Sequence, residues 1–438
     1  TEAGDGYSRV YDTPTSFGVL ANEDHVLDSG PLDLYPGNNY QKRSLALQFG
    51  ILPEESDKRQ LFVSVAPGYN THDGYELGPV FHNRTLEPRR FEWLLAPQYG
   101  FRSKQINGFG GFQWRLPESL SLSEELIQQA IFSAGYRTYS RQTFRGEAYR
   151  YQRYHAGLKL QLRHPAITGR SSYLEAKMIT LRENVPRFDT EGQVIGTSSF
   201  TGNFQRLTYH RERKHGITPS GLSLTFEYGQ PSGTFEENFT KLTASATGGY
   251  QYQKKQWIRW RAFGGYFITN PLRERNVAPG YAFSLLDNAA ADYSYDGLYL
   301  GRNSNSARYD QQLSGGQGGF RTPISSAFGF GRSNDFMVAL NLDATLPFLP
   351  PGFPLGVFLD AATYGVSPIR TDSEANFQWA AGLSLSFLNG KVGIYAPLVM
   401  SSDTKNLLIK RDNFLQRLSF RVELSQLMPW NWIDNISL

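Results

Sequence analysis

From about Gln41 to the C-terminus, apolar side chains recur at every second position. Leu45, Leu47 and Phe49 alternate with Ala46 and Gln48, and Leu61, Val63 and Val65 follow the same rule. Phe91, Trp93, Leu95, Pro97 and Tyr99 form a longer row, and Leu158, Leu160 and Leu162 alternate with Lys159, Gln161 and Arg163. Leu222, Leu224, Phe226 and Tyr228, then Leu242, Ala244 and Ala246, then Ile258, Trp260 and Ala262 continue the pattern. It is clearest late in the chain, in Phe336 to Leu342, in Phe377 to Phe387, and in Leu418, Phe420, Val422 and Leu424. Successive side chains of a strand point to opposite faces. Each row therefore makes one apolar face and one face of small, polar or charged residues. Rows of about 9–11 residues have the length that crosses a bilayer at a tilt. A soluble sandwich or β-helix also alternates, but its strands run to about 5–6 residues. The pattern predicts an all-β protein, a closed antiparallel transmembrane β-barrel of about 16 strands, with 14 or 18 as alternatives.

Breaks in the period divide the chain. Residues 1–40 lack it and are rich in turn formers, as in Pro36-Gly37-Asn38-Asn39, so they read as a linker or extramembrane lead-in. Residues 41–438 read as the barrel. Stretches near 184–202, 270–291 and 301–332 are polar or Gly-rich and are expected to be long extracellular loops, or a plug. Asn389-Gly390 suits a two-residue hairpin turn. Such short turns belong on the periplasmic side, which places the segment near Met400–Phe414 outside. Ser121-x-x-Glu124 ahead of Leu126, Ile127 and Ile131 fits either a capping box opening a short helix or an uneven strand start.

Composition agrees with many strands bearing aromatic girdles: 438 residues include 30 Phe, 25 Tyr and 43 Gly. The absence of Cys rules out disulfides and thiolate metal sites. A net charge of +4 is too small to argue for nucleic acid. No apolar run approaches the ~18 residues of a transmembrane helix, so a membrane-spanning reading requires closed strands. No secretory signal pattern opens the chain, and its start at Thr1 reads as processed or truncated.

Catalytic motifs are missing. None of the seven His residues is followed by Glu, so the zinc-peptidase His-Glu-x-x-His pattern does not occur. There is no Gly-x-Ser-x-Gly elbow and no phosphate-binding loop. A lipid hydrolase would need a Ser and a His from separate strands to meet. No cofactor and no metal site are expected. The charges that fall on the non-lipid faces are Lys159, Arg163, Glu227, Arg259, Arg261, Asp343, Asp360, Arg417, Arg421 and Glu423. An Arg or Lys facing lipid at mid-bilayer costs about 2–4 kcal/mol, which explains their confinement. They are expected to line an aqueous channel or to form an ion-paired network that fills the lumen. Both signs are present, which favours the network.

One stretch has a family character. Residues 66–78 read Ala-Pro-Gly-Tyr-Asn-Thr-His-Asp-Gly-Tyr-Glu-Leu-Gly, followed by Asn83-Arg84-Thr85-Leu86-Glu87-Pro88 and Leu95-Ala96-Pro97-Gln98-Tyr99-Gly100. With Tyr295-Asp296-Gly297-Leu298, Gly318-Gly319-Phe320-Arg321, Phe358-Leu359-Asp360 and Tyr395-Ala396-Pro397-Leu398, this resembles the C-terminal barrel of gluzincin (aminopeptidase N-like) metallopeptidases of Bacteroidetes-type bacteria. The zinc ligands and general base of that family precede the barrel and have no counterpart here, so no catalytic role carries over to any position. Either a peptidase domain belongs to the full polypeptide or the protein keeps only the barrel. The resemblance implies a multi-pass barrel of the bacterial outer membrane that anchors or scaffolds a peptidase-like domain or partner proteins. Its expected neighbours are outer-membrane lipids and lipopolysaccharide, and other outer-membrane proteins or lipoproteins. The alternatives are a transport pore and a barrel enzyme acting on lipid.

Overall fold

In the computed structural model, the described residues are 45–49, 59–70, 72–85, 89–116, 126–142, 148–165, 168–188, 194–213, 217–231, 237–275, 279–286, 288, 291–297, 299, 311–324, 330–350, 352–365, 376–387, 392–409 and 413–422. The chain divides into two units, one of residues 1–46 with 54–60 and one of residues 47–53 with 61–438. Nearly all described residues belong to the second. The expected lead-in over 1–40, Ser121, Glu124, Asn389, Gly390 and Glu423 lie outside the described residues.

The elements are almost all strands: β1 (Leu45–Phe49), β2 (Arg59–Asn70), β3 (Gly74–His82), β4 (Phe91–Gly100), β5 (Gln105–Arg115), β6 (Ile127–Gln142), β7 (Ala148–Leu162), β8 (Arg170–Phe188), β9 (Val194–Arg213), β10 (Ser220–Gln230), β11 (Phe239–Gln253) and β12 (Gln256–Thr269). Three two-residue strands follow, β13 (Phe283–Ser284), β14 (Gln312–Leu313) and β15 (Arg332–Ser333). The long strands resume with β16 (Phe336–Thr345), β17 (Leu355–Tyr364), β18 (Phe377–Phe387) and β19 (Val392–Met400). Two helices, α1 (Ser402–Ile409) and α2 (Phe414–Arg417), precede β20 (Ser419–Val422).

Each long strand from β2 to β12 pairs antiparallel with the next, β12 pairs directly with β16, and the series continues to β20. The main sheet has 18 strands, against the roughly 16 of the sequence reading. One of the 18, β14, joins by a short parallel pairing to β20. The described pairings make one continuous sheet and do not include one that joins its two ends, so the expected closure is not among them. Residues 184–188 and 194–202, read from sequence as loop, instead extend β8 and β9 as a pair, with one register shift between Arg187 and Phe188. Their polar composition hid a strand pair that runs past its neighbours. Ile127 and Ile131 sit in β6, while Ser121 and Glu124 lie outside the described residues.

The two faces of the sheet differ as the alternation demands. In β16, Val338 and Leu340 are 52% and 43% exposed, whereas Met337 and Ala339 are 0% and 2%. In β10, Leu222, Leu224 and Phe226 are exposed and Glu227 is buried. The exposed face thus carries the greasy side chains and the buried face carries many of the polar ones, the reverse of a sheet packed on a water-soluble core.

Candidate functional site: a connection seated on the inner face

The described residues of the β12–β16 connection, between 270 and 335, lie on the buried face of the strands from β6 to β20. Their side chains pack on those of the strands. Tyr281 stacks on Phe239 at 4.1 Å between ring centroids, and Tyr295 stacks on Tyr151 at 3.8 Å. Phe283 meets Phe267 at 4.7 Å, and Tyr293 meets Phe204 edge-on at 5.5 Å. These residues, with Leu285, Leu313, Phe320 and Met337 and with Tyr293 packed against them, form the largest apolar cluster among the described residues. A short two-stranded pairing of β13 with β15 ties the connection to itself.

The same connection reaches strands far apart in the sheet. It contacts Arg137 of β6, Arg153 of β7, Arg206 of β9, Lys241 of β11, Arg261 of β12, Asp360 of β17 and Ser419 of β20. Laid flat at ~4.8 Å per strand, β6 to β20 would span roughly 50 Å. One compact segment touches both ends of that span only because the sheet curls around it.

Two polar nodes fix the connection. At the first, Asp296 is ion-paired with Arg153 and Arg206. Arg206 also pairs with Glu227, and Lys241 Nζ lies 3.7 Å from Glu227. Tyr293 donates its hydroxyl to Glu227 and accepts from Lys241 Nζ at 2.8 Å. Around this, Arg137 donates to the carbonyls of Tyr295, Asp296 and Gly297, and Asp292 accepts from the backbone N–H groups of Asp296 and Gly297. Burial alone would raise the Asp296 carboxyl, but the Arg206 and Arg153 guanidiniums outweigh it and hold it well below the usual carboxylate range.

At the second node, Arg321 spreads its guanidinium over two carboxylates. Nη2 lies 2.7 Å from Asp360 Oδ1, and Nη1 lies 3.2 Å from Asp343 Oδ2. The same side chain donates to the Leu342 carbonyl at 2.6 Å, and the Arg321 backbone N–H donates to Asp360 Oδ2 at 2.7 Å. Asn341 Nδ2 donates to Asp360 Oδ1 at 3.0 Å, so the fully buried carboxylate is well satisfied. Arg261 reaches the Gln317 carbonyl and Asn341 Oδ1. Gly319, at φ +64°, leaves room for this approach: a Cβ there would sit 2.7 Å from Asn341 Oδ1 and 2.8 Å from Arg261 Nη1. Gly319→Ala is therefore expected to destabilise the protein by about 1–2 kcal/mol through its left-handed backbone alone. Thermal unfolding in detergent micelles checks it, and an unchanged transition would remove Gly319 from the account.

The charges singled out from sequence divide. Glu227, Arg261, Asp343 and Asp360 are in the two nodes. Lys159 lies over the Tyr173 ring at 3.9 Å, and Arg259 over the Trp257 ring at 5.4 Å, both away from the connection's anchors. Arg163 is exposed just beyond β7. Arg417 belongs to α2 and not to a strand row, because the chain turns through a helix capped by Asn413 before β20 begins. Arg421, on β20, lies against Gly315 of the connection. Sequence reasoning missed Arg153, Arg206, Asp296 and Arg321 as partners. Arg153 shares the parity of Lys159 and Arg163 and was accessible by extending that row, whereas no row was read over β9, which carries Arg206. Asp296 and Arg321 lie in an aperiodic stretch that carries no such signal.

A cavity of about 620 Å³ remains beside the first node, bordered by Lys177, Thr225, Lys241, Asp296 and Ser314. Among the described residues, no group of three or more His, Asp or Glu is placed to hold a metal ion. His164 Nε2 lies 2.6 Å from Ser172 Oγ, at the strand end opposite the connection. Ser172 is only 4% exposed, and among the described residues no carboxylate bonds the other His164 nitrogen. Neither accessibility nor orientation makes this pair a hydrolytic nucleophile.

The molecule is thus an all-β chain whose curled antiparallel sheet holds its own long connection on the inner face. No protein-family model matches it, and no curated protein matches it. Among solved structures it is similar to BamA from Haemophilus ducreyi lacking POTRA domains 1–3, with 12% identity, a TM-score of 0.42, and coverage of 81% of this chain and 71% of that one. It is also similar to CdiB from Escherichia coli, with 14% identity and a TM-score of 0.40. That alignment covers 85% of this chain, which spans 65% of the length of CdiB.

Proposed function

We propose that this chain is an outer-membrane β-barrel whose interior is filled by the β12–β16 connection, and that it anchors or scaffolds a peptidase-like domain or partner proteins rather than conducting solutes. The membrane reading is supported by the outward band of exposed Leu, Val, Ile and aromatic side chains, an area of grease that water does not tolerate on a soluble monomer. A barrel of strands satisfies its backbone hydrogen bonds internally, as a bilayer requires. The reading against a pore is carried by one observation: the inner face is packed with the connection's aromatic rings and ion pairs. The anchoring role extends the family resemblance of the sequence to this filled barrel.

Two measurements test it. In planar bilayers the purified protein is expected to show no steady conductance, and large sustained currents would sink the scaffold reading. In native membranes the polypeptide is expected to fractionate with the outer membrane, with an intact mass above 49.4 kDa or with a stably co-isolated soluble partner. A lone polypeptide of that mass with no partner would overturn the anchoring role.

A further inference from the structure

β5 has a gap on its outward face. In register across four strands stand Leu95, Gly110, Tyr136 and Tyr154. The next outward row toward the rim is Pro97, Gly108, Thr138 and Gln152. Glycines thus floor a groove of about 820 Å³. Its walls include Leu95, Ile106 and Phe112, and the Tyr136 and Tyr154 rings, 4.9 Å apart. The volume falls within the roughly 300–1,000 Å³ of small-ligand sites. The backbone explains only one of the two glycines. Gly108 has φ +132°, and a Cβ there would lie 2.1 Å from the Ala96 carbonyl oxygen. At Gly110, which has no left-handed φ, a Cβ would meet Leu95 Cδ1 at 3.0 Å and the Leu94 carbonyl oxygen at 3.3 Å, contacts that a shift of a few tenths of an ångström relieves.

One end of the groove is basic. Arg150 is held there by donating to Thr138 Oγ1 at 2.8 Å and to the Ile106 carbonyl at 2.6 Å. Of the basic residues on this side, Arg150 lines the groove itself, and Arg102 and Lys104, in the β4–β5 turn, and Arg182, opposite Gln152 on β8, are exposed beyond its lining. This end is the one from which the β12–β16 connection departs, because the β4–β5 and β6–β7 turns lie on that side of an alternating meander.

We propose that the groove binds an anionic membrane lipid, one acyl chain lying over Gly108 and Gly110 and the phosphate held by Arg150, Lys104 and Arg182. The inference rests on the membrane reading above. An acyl chain fills an apolar trough that no side chain of the described residues occupies. A headgroup phosphate complements guanidinium and ammonium donors gathered at one rim.

The test uses the full chain in detergent micelles, with lipid retention read by native mass spectrometry for phosphatidylglycerol and phosphatidylcholine of matched chains. Wild-type protein is expected to retain one phosphatidylglycerol at an apparent affinity at least tenfold above that of phosphatidylcholine. Gly110→Leu should abolish retention of both lipids by filling the trough. Lys104→Glu with Arg182→Glu should erase the preference while leaving chain binding. Heat-modifiable gel migration reports folding of each variant, and Leu95→Phe serves as the filling variant if Gly110→Leu does not fold. Equal retention of the two lipids by wild-type protein, or unchanged retention by a folded filled variant, overturns the proposal. A chain that stays dispersed in water once detergent is removed would instead overturn the membrane reading.

Discussion

Arg321→Ala is expected to destabilise the folded protein by about 3–5 kcal/mol, the cost of leaving a buried charge without its partner. Asp360 is fully buried, and Arg321 supplies both its ion pair and a backbone N–H. Removing the side chain strands that carboxylate and also frees the Leu342 carbonyl and Asp343. Arg321→Lys should recover little, because a single ammonium cannot reach two carboxylates and a carbonyl as a planar fork does. Arg321→Ala combined with Asp360→Asn should recover part of the loss, since the neutral amide no longer needs a cation. A coupling of about 0.5–3 kcal/mol between the two positions is the expected signature of direct contact. Denaturant unfolding followed by tryptophan fluorescence in micelles reads all of these. Additive losses at the two positions would mean that Arg321 is not the partner of Asp360 in solution.

The legible part of this molecule is the part ruled by period two. Val338 and Leu340 against Met337 and Asn341, or Leu224 and Phe226 against Glu227, announce both the strand and its faces, because alternation couples position directly to side-chain direction. The polar, Gly-bearing run Val194–Gly202 breaks the apolar rhythm and reads as loop, yet all of it but Ile195, at a register shift, is paired with β8. Backbone hydrogen bonds hold such a strand whatever its side chains. The candidate site was half legible. Glu227, Asp343 and Asp360 stand on strands, so their direction follows from neighbours. Their partners Asp296 and Arg321 come from the aperiodic connection, and no local pattern tells where a loop will be laid down. Arg417 fails for a third reason: a one-turn helix shifts its direction away from the row that Leu418 and Phe420 define.

Excising residues 279–333 and bridging the gap with a short Gly-Ser linker is expected to prevent the barrel from folding stably, not to turn it into an open channel. A loop that merely gates a pore touches its walls lightly and can be removed with the wall intact. Here the wall has been built for the loop. Tyr151, Phe204, Phe239, Phe263, Phe267 and Met337 all sit on strands, all point to the inner face, and all are at most 6% exposed. Phe239, Phe267, Tyr151 and Phe204 meet rings of the connection, and Met337 Sδ lies close beside Gly318. At about 1.5–3 kcal/mol for each large apolar side chain returned to water, exposing these six forfeits roughly 9–18 kcal/mol as an upper bound. That range reaches or exceeds the entire stability of an ordinary domain, about 5–15 kcal/mol. Removing Asp296 with the segment also leaves Arg153 and Arg206 facing each other without their shared anion. The excised chain should therefore show no heat-modifiable folded band and no cooperative thermal transition, whereas Arg321→Ala keeps both at lower temperature. An excised protein that refolds with the wild-type transition and conducts steadily would show that the connection is a removable stopper, and the inner aromatic cluster would then need another explanation.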